Sequence, residues 1–185
     1  MDRAAEVIQQ QGIEALTLRG LARDLGVSHG APNRHFKTRV DLLAAIATDG
    51  YSKLTAATLD GATITKSDDA WIRLNGMGRG YLHWALDNPA SFTAISHPDL
   101  ARHEDDDLKQ ALEIFGETVR QAIADAQKAG RYPDVNPMVL EVFTNSVPMG
   151  AAMMLTSGRA EMGAEDQNHF VAALIEMVVP ISGRG

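Results

Sequence analysis

Residues 17 to 39, TLRGLARDLGVSHGAPNRHFKTR, constrain this chain more than any other stretch. Thr17 is suited to cap a helix, because its hydroxyl can accept an orphan N–H of the first turn. Leu18, Leu21, Ala22 and Leu25 follow at helical spacing and give one apolar face. Gly26 stands where a left-handed residue usually ends a helix. Val27 is placed to plug the core and Ser28 to cap a second helix. That second helix is short and polar: His29, Gly30, Ala31, Asn33 and Arg34 precede Phe36, which returns to the core. Such a helix has little reason to exist unless its outer face meets something. The helix-turn-helix places a helix of this kind in the DNA major groove.

Charge reinforces that reading. The stretch carries Arg19, Arg23, Arg34, Lys37 and Arg39 against Asp24 alone, in a chain of net charge −7. One basic island on an acidic protein is the footprint of phosphate binding at one end. From residue 40 onward there are 11 basic and 20 acidic side chains, so the body offers no second nucleic-acid surface.

The remaining composition narrows the fold. Runs of alternating β-branched residues are missing, which predicts an all-α chain. Its 185 residues suit one or two small domains. Without cysteine it has neither disulfides nor a thiolate metal site, in keeping with a reducing cytosol. The longest uncharged stretch, 142–158, is interrupted by Thr144, Asn145, Ser146, Pro148 and Gly150, and the start of the chain does not look like a secretory leader. A cytoplasmic protein with no membrane partner is therefore expected.

Periodicity predicts a first helix over 2–11, ended by Gly12, and a long one from Thr38 to about 59, opened by a capping-box variant with Asp41. Arg39 in its first turn opposes the helix dipole, which makes sense beside a phosphate. Further helices are predicted over 69–88, 90–95, from the acidic run 104–107 to Gly130, over 138–157 and over 170–179. Apolar side chains on nearly every face of 138–157 predict burial on two sides, and Pro148 predicts a kink. His103 and the four acids after it are consecutive and splay around a helix, so they read as a helix start rather than metal ligands. The six His are scattered. No nucleophile–base pair, phosphate loop or metal spacing occurs, so neither catalysis nor a cofactor is expected.

Residues 4 to 46 resemble the DNA-binding domain of the TetR family of bacterial transcriptional regulators. The resemblance lies in an apolar helix ending in Gly12, then Ala15-Leu16-Thr17, Leu21-Ala22, Leu25-Gly26-Val27-Ser28, Arg34-His35-Phe36-Lys37 and Asp41-Leu42-Leu43. It departs from the family where an aromatic residue usually precedes Arg34; here that residue is Asn33.

The resemblance implies a helix-turn-helix domain over 1–48 and a helical effector-binding and dimerisation domain over 49–185. It implies a homodimeric, non-enzymatic repressor that reads a palindromic operator in double-stranded DNA and is released by a small molecule. Thr17, Arg19, Ser28, His35, Lys37 and Arg39 match phosphate-positioning places, while His29, Gly30, Ala31, Asn33 and Arg34 face the groove. Asn or Arg there can pair with adenine or guanine edges. Dimerisation is expected through the helices at 138–157 and 165–179. A helical small-molecule-binding protein or enzyme with a vestigial head is the alternative.

For the effector, one helix supplies Trp71, Met77, Tyr81, His83 and Trp84, and other segments supply Phe92, Phe115, Phe143, Met149 and Met153. Met fills irregular space and aromatics give flat contact area, a combination suited to an apolar or aromatic ligand with few polar anchors. Gly76, Gly78 and Gly80 are expected to remove volume beside it. That these residues simply pack the core is the competing expectation.

Overall fold

The computed structural model describes residues 2–28, 34–160 and 166–180. Among them every regular element is helical, as the missing strand signals predict. The described residues hold eight α-helices: α1 (Asp2–Gln11), α2 (Leu18–Asp24), α3 (Arg39–Ile64), α4 (Ala70–Asp87), α5 (Pro89–Ile95), α6 (Asp106–Lys128), α7 (Pro137–Thr156) and α8 (Gln167–Val178). Short 3₁₀ segments occupy Ile13–Ala15 and Pro98–Arg102. The chain forms two compact units, Met1–Ser52 with Asn88–Leu112, and Lys53–Asp87 with Glu113–Gly185.

In the first unit, local chemistry sets the boundaries. Gly12 (φ 84°) and Gly26 (φ 64°) follow α1 and α2 in left-handed conformations that cost glycine nothing. The Thr17 hydroxyl accepts the Gly20 N–H at 3.0 Å and caps α2. At the start of α3 the Thr38 hydroxyl accepts the Asp41 N–H (3.1 Å). In return the Asp41 carboxylate accepts the N–H groups of Thr38 (2.8 Å) and Lys37 (2.9 Å), completing a capping box. The core gathers Ala4, Val7, Ile8, Leu16, Leu21, Leu42, Leu43 and Ile46 with Ala90 and Ala94 of α5, and Phe36 packs against it. Leu25 and Val27 depart from expectation: both are exposed. They fall where α2 has already ended, so helical spacing no longer aims them inward.

In the second unit Asp69 caps α4 by accepting the Trp71 N–H at 2.8 Å. Trp71, Leu74 and Met77 of α4 pack with Val119 and Ile123 of α6, Leu140 of α7 and Val178 of α8. The Trp71 indole N–H donates to the Pro180 carbonyl (2.7 Å) and the Asn75 amide to the Val179 carbonyl (2.6 Å), which fastens the end of α8 to α4. α3 and α4 cross backbone to backbone at Gly61, Gly76 and Gly80. The expectation for α7 needs correction. Its buried residues are Leu140, Pro148 and Ala152, and a side lined with Val and Met stays uncovered.

Candidate functional site

Of the side chains expected to meet DNA, Thr17, Arg19, Ser28, Arg34, His35 and Lys37 are exposed in the first unit. His29, Gly30, Ala31 and Asn33 lie outside the described residues. The lone acid of the basic stretch, Asp24, is held by Arg3, whose Nε and Nη2 donate to one carboxylate oxygen at 3.2 and 2.7 Å. Arg3 lowers the Asp24 carboxyl below the usual carboxylate range. It therefore offsets the one negative charge beside Arg19 and Arg23, a role that sequence spacing did not reveal.

Arg39 behaves differently from the phosphate contact expected of it. Its Nε donates to the Leu16 carbonyl (3.1 Å) and its Nη2 to the Ile13 carbonyl (2.8 Å). The same guanidinium lies 3.1 Å from Glu14 and 3.7 Å from Asp99. His97, almost fully buried, places Nε2 3.2 Å from Glu14. A hydrogen bond from His97 and the charge of Arg39 hold the Glu14 carboxyl below its usual range. The guanidinium thus faces two carbonyls and two carboxylates of its own unit. The cation that looked unfavourable at a helix start is stabilised from within the protein, and it clasps the turn at 13–16 to α3. Asp41, also held low by the N–H of Thr38, has His103 at 3.4 Å.

The second unit contains a cavity of about 30 Å³, room for a water or two. Met77, Gly78 and Tyr81 of α4, Phe115 of α6, Thr144, Asn145 and Pro148 of α7, and Ile175 of α8 contribute to its wall. Three of the expected ligand-binding residues, Met77, Tyr81 and Phe115, meet there, with the Tyr81 and Phe115 ring centroids 6.2 Å apart. The other seven do not line it. Trp71 is buried against Tyr132, with the Arg131 guanidinium 5.6 Å from its ring centre. Trp84 is buried and His83 half-buried away from the wall, and Phe92 is buried in the first unit. Phe143, Met149 and Met153 point outward, 51, 40 and 44% exposed. Of the three glycines only Gly78 belongs to the cavity; Gly76 and Gly80 face α3 instead.

Those three outward residues belong to a larger feature. Val139, Val142, Met149 and Met153 recur along one side of α7, flanked by Met138, Phe143 and Met154, all exposed. A helix with an apolar face of this length left open needs cover.

Two family models match along the chain. Residues 1–46 match the family described as bacterial regulatory proteins, tetR family, and residues 74–178 match the tetracyclin repressor-like C-terminal domain. The HTH-type transcriptional regulator Rv1816 of Mycobacterium tuberculosis is 34% identical over 85 residues, 45% of this chain and 36% of that protein. The chain thus aligns with about a third of that relative's length. A protein of unknown function from Rhodococcus sp. RHA1 has the same fold, with TM-score 0.78 and 24% identity over 96% of this chain and 90% of that one. So does AibR, solved in complex with isovaleryl coenzyme A and operator DNA, with TM-score 0.73 and 15% identity over 96% and 94% of the two chains.

Proposed function

Because the chain belongs to the TetR family of bacterial regulatory proteins, we propose that it is a homodimeric repressor that reads a palindromic operator and is released by a small, mostly apolar effector. The reading is carried by the basic face of the first unit. There Arg19, Arg34 and Lys37 stand exposed while the neighbouring acid, Asp24, is neutralised by Arg3. Thr17, Arg19, Ser28, His35 and Lys37 contact phosphates and fix the register. His29, Gly30, Ala31, Asn33 and Arg34 meet base edges. Residues 1–48 form the DNA-reading segment and 49–185 the effector-binding and dimerising body.

The uncovered stripe of α7 supports the dimer. A two-fold axis lets the same apolar face cover its copy, the commonest way such a surface is satisfied. AibR, of like fold, was solved with both operator DNA and a small molecule. Here the cavity at Met77, Tyr81 and Phe115 is the effector site, and its ligand acts by binding the DNA-incompetent state more tightly.

Selection by the full chain from a random DNA pool tests the proposal. The expected result is an inverted repeat whose half-sites lie about one helical turn, 34–36 Å, apart. An asymmetric selected site occupied by a single protomer would refute it. Sedimentation of Val142→Glu, which sets a charge in the stripe, is expected to show a monomer where the unsubstituted chain is a dimer.

A further inference from the structure

We propose that the cavity of the second unit admits an uncharged ligand that presents one hydrogen-bond donor to the backbone carbonyl of Thr144. This rests on the reading of that cavity as the effector site, and it adds the chemical class of the effector.

The argument begins with Pro148. It lies inside α7 and is buried. In an α-helix the N–H of residue 148 closes onto the carbonyl of residue 144, and proline has no N–H. One carbonyl within α7 therefore lacks its usual helix partner. Thr144, Asn145 and Pro148 all line the cavity, so the turn that holds that carbonyl borders it. A polar backbone group set against an apolar space calls for a partner.

Two neighbouring hydroxyls are committed elsewhere. The Thr144 hydroxyl donates to the Leu140 carbonyl at 2.8 Å, and the Thr58 hydroxyl donates to the Leu54 carbonyl at 2.7 Å.

The rest of the wall decides charge. Among the described residues it carries no Asp, Glu, Lys, Arg or His; the surface comes from residues such as Leu74, Met77, Phe115, Val119 and Ile175. An anion or cation entering there loses its hydration with no opposite charge to receive it. A neutral molecule with a hydroxyl or N–H loses little and satisfies the 144 carbonyl. The cavity is small, so the ligand must part the wall, and unbranched Met77 is the side chain best able to give way.

The test uses the full chain and three one-ring probes: phenol, toluene and benzoate. Binding is followed by calorimetry and by the fluorescence of Trp71 and Trp84. Phenol is expected to bind roughly three- to tenfold tighter than toluene, the yield of one net hydrogen bond, and benzoate at least tenfold weaker than toluene. Pro148→Ala restores the N–H at position 148, so the 144 carbonyl regains its helix partner. The change in ring volume affects phenol and toluene alike. In that variant the preference for phenol should vanish while toluene still binds. Equal binding of phenol and toluene, tight benzoate binding, or a phenol preference that survives Pro148→Ala would overturn the inference and leave the effector site standing. Failure of all three probes to bind would overturn both.

Discussion

The glycine crossing of α3 and α4 offers a sharp test, because two opposing effects of known size meet there. In a helix interior Ala is favoured over Gly by about 1 kcal/mol. By propensity alone, Gly80→Ala should stabilise the protein. A Cβ at Gly80, however, would stand 2.2 Å from the Ala57 carbonyl oxygen and 3.0 Å from its carbon. At Gly76 the new atom would lie 2.4 Å from the Gly61 carbonyl oxygen. Ordinary contact begins at 3.4 Å, so the crossing must open by about 1 Å, and the obstacle is backbone that cannot rotate aside. Overpacking of this kind costs about 1–3 kcal/mol and at times more. Against the propensity gain, a net loss of up to about 2 kcal/mol is expected. In a chain of this size that lowers the melting temperature by up to about 8 °C. Gly116→Ala in α6 is the control, since its Cβ would meet only the far end of the Arg120 side chain. That variant should melt at or above the unsubstituted chain. Both are compared by calorimetry at one protein concentration, because self-association of the kind proposed would make the midpoint concentration-dependent. If Gly80→Ala gains stability as Gly116→Ala does, the close crossing does not exist in solution.

Further expectations concern the first unit. Thr17→Ala removes the acceptor of the Gly20 N–H and should cost about 1 kcal/mol in urea titration. The Asp41 carboxyl sits below its usual value, chiefly through the Thr38 N–H. A depressed carboxyl gives stability that is present above its unfolded value, near pH 4, and lost as pH falls through the lower folded value. Asp41→Asn should therefore flatten the acid limb of the stability profile below about pH 4, and an unchanged limb would refute the assignment. Arg39→Ala should lower the melting temperature without changing how DNA affinity depends on salt. Lys37→Ala should leave the melt alone and reduce that salt slope by about one unit, as loss of one phosphate contact does.

The elements were legible in the sequence wherever their cause is local. Gly12, Gly26 and Gly130 end helices because each takes a left-handed conformation. Thr17, Thr38 with Asp41, and Asp69 begin them because a side-chain oxygen reaches an N–H two or three residues on, or three residues back at the reciprocal bond of the box. What stayed illegible depends on distant partners. α7 is apolar on most sides, so periodicity does not say which face turns inward, and Phe143, Met149 and Met153 face outward rather than into the cavity. The pattern of one chain reports that a residue needs cover, not whether the same chain supplies it. The cavity shows the same limit, since Thr58 and Ile175 reach its wall from helices far apart in sequence.

Arg39 carries this logic to the charge of the head. Counted along the sequence, residues 17–39 hold five basic side chains and one acid. In space the tally changes at both ends. Arg39 is engaged by Glu14 and Asp99, neither of which lies in that stretch, and Asp24 is engaged by Arg3. A cation bonded to two carbonyls and flanked by two carboxylates contributes little to the field a phosphate feels, whereas exposed Arg19, Arg34 and Lys37 contribute most. The basic island therefore survives folding with a different membership. Arg39 acts one step earlier: it holds the 13–16 turn against α3, and so fixes where α2 starts and where Thr17 presents its hydroxyl.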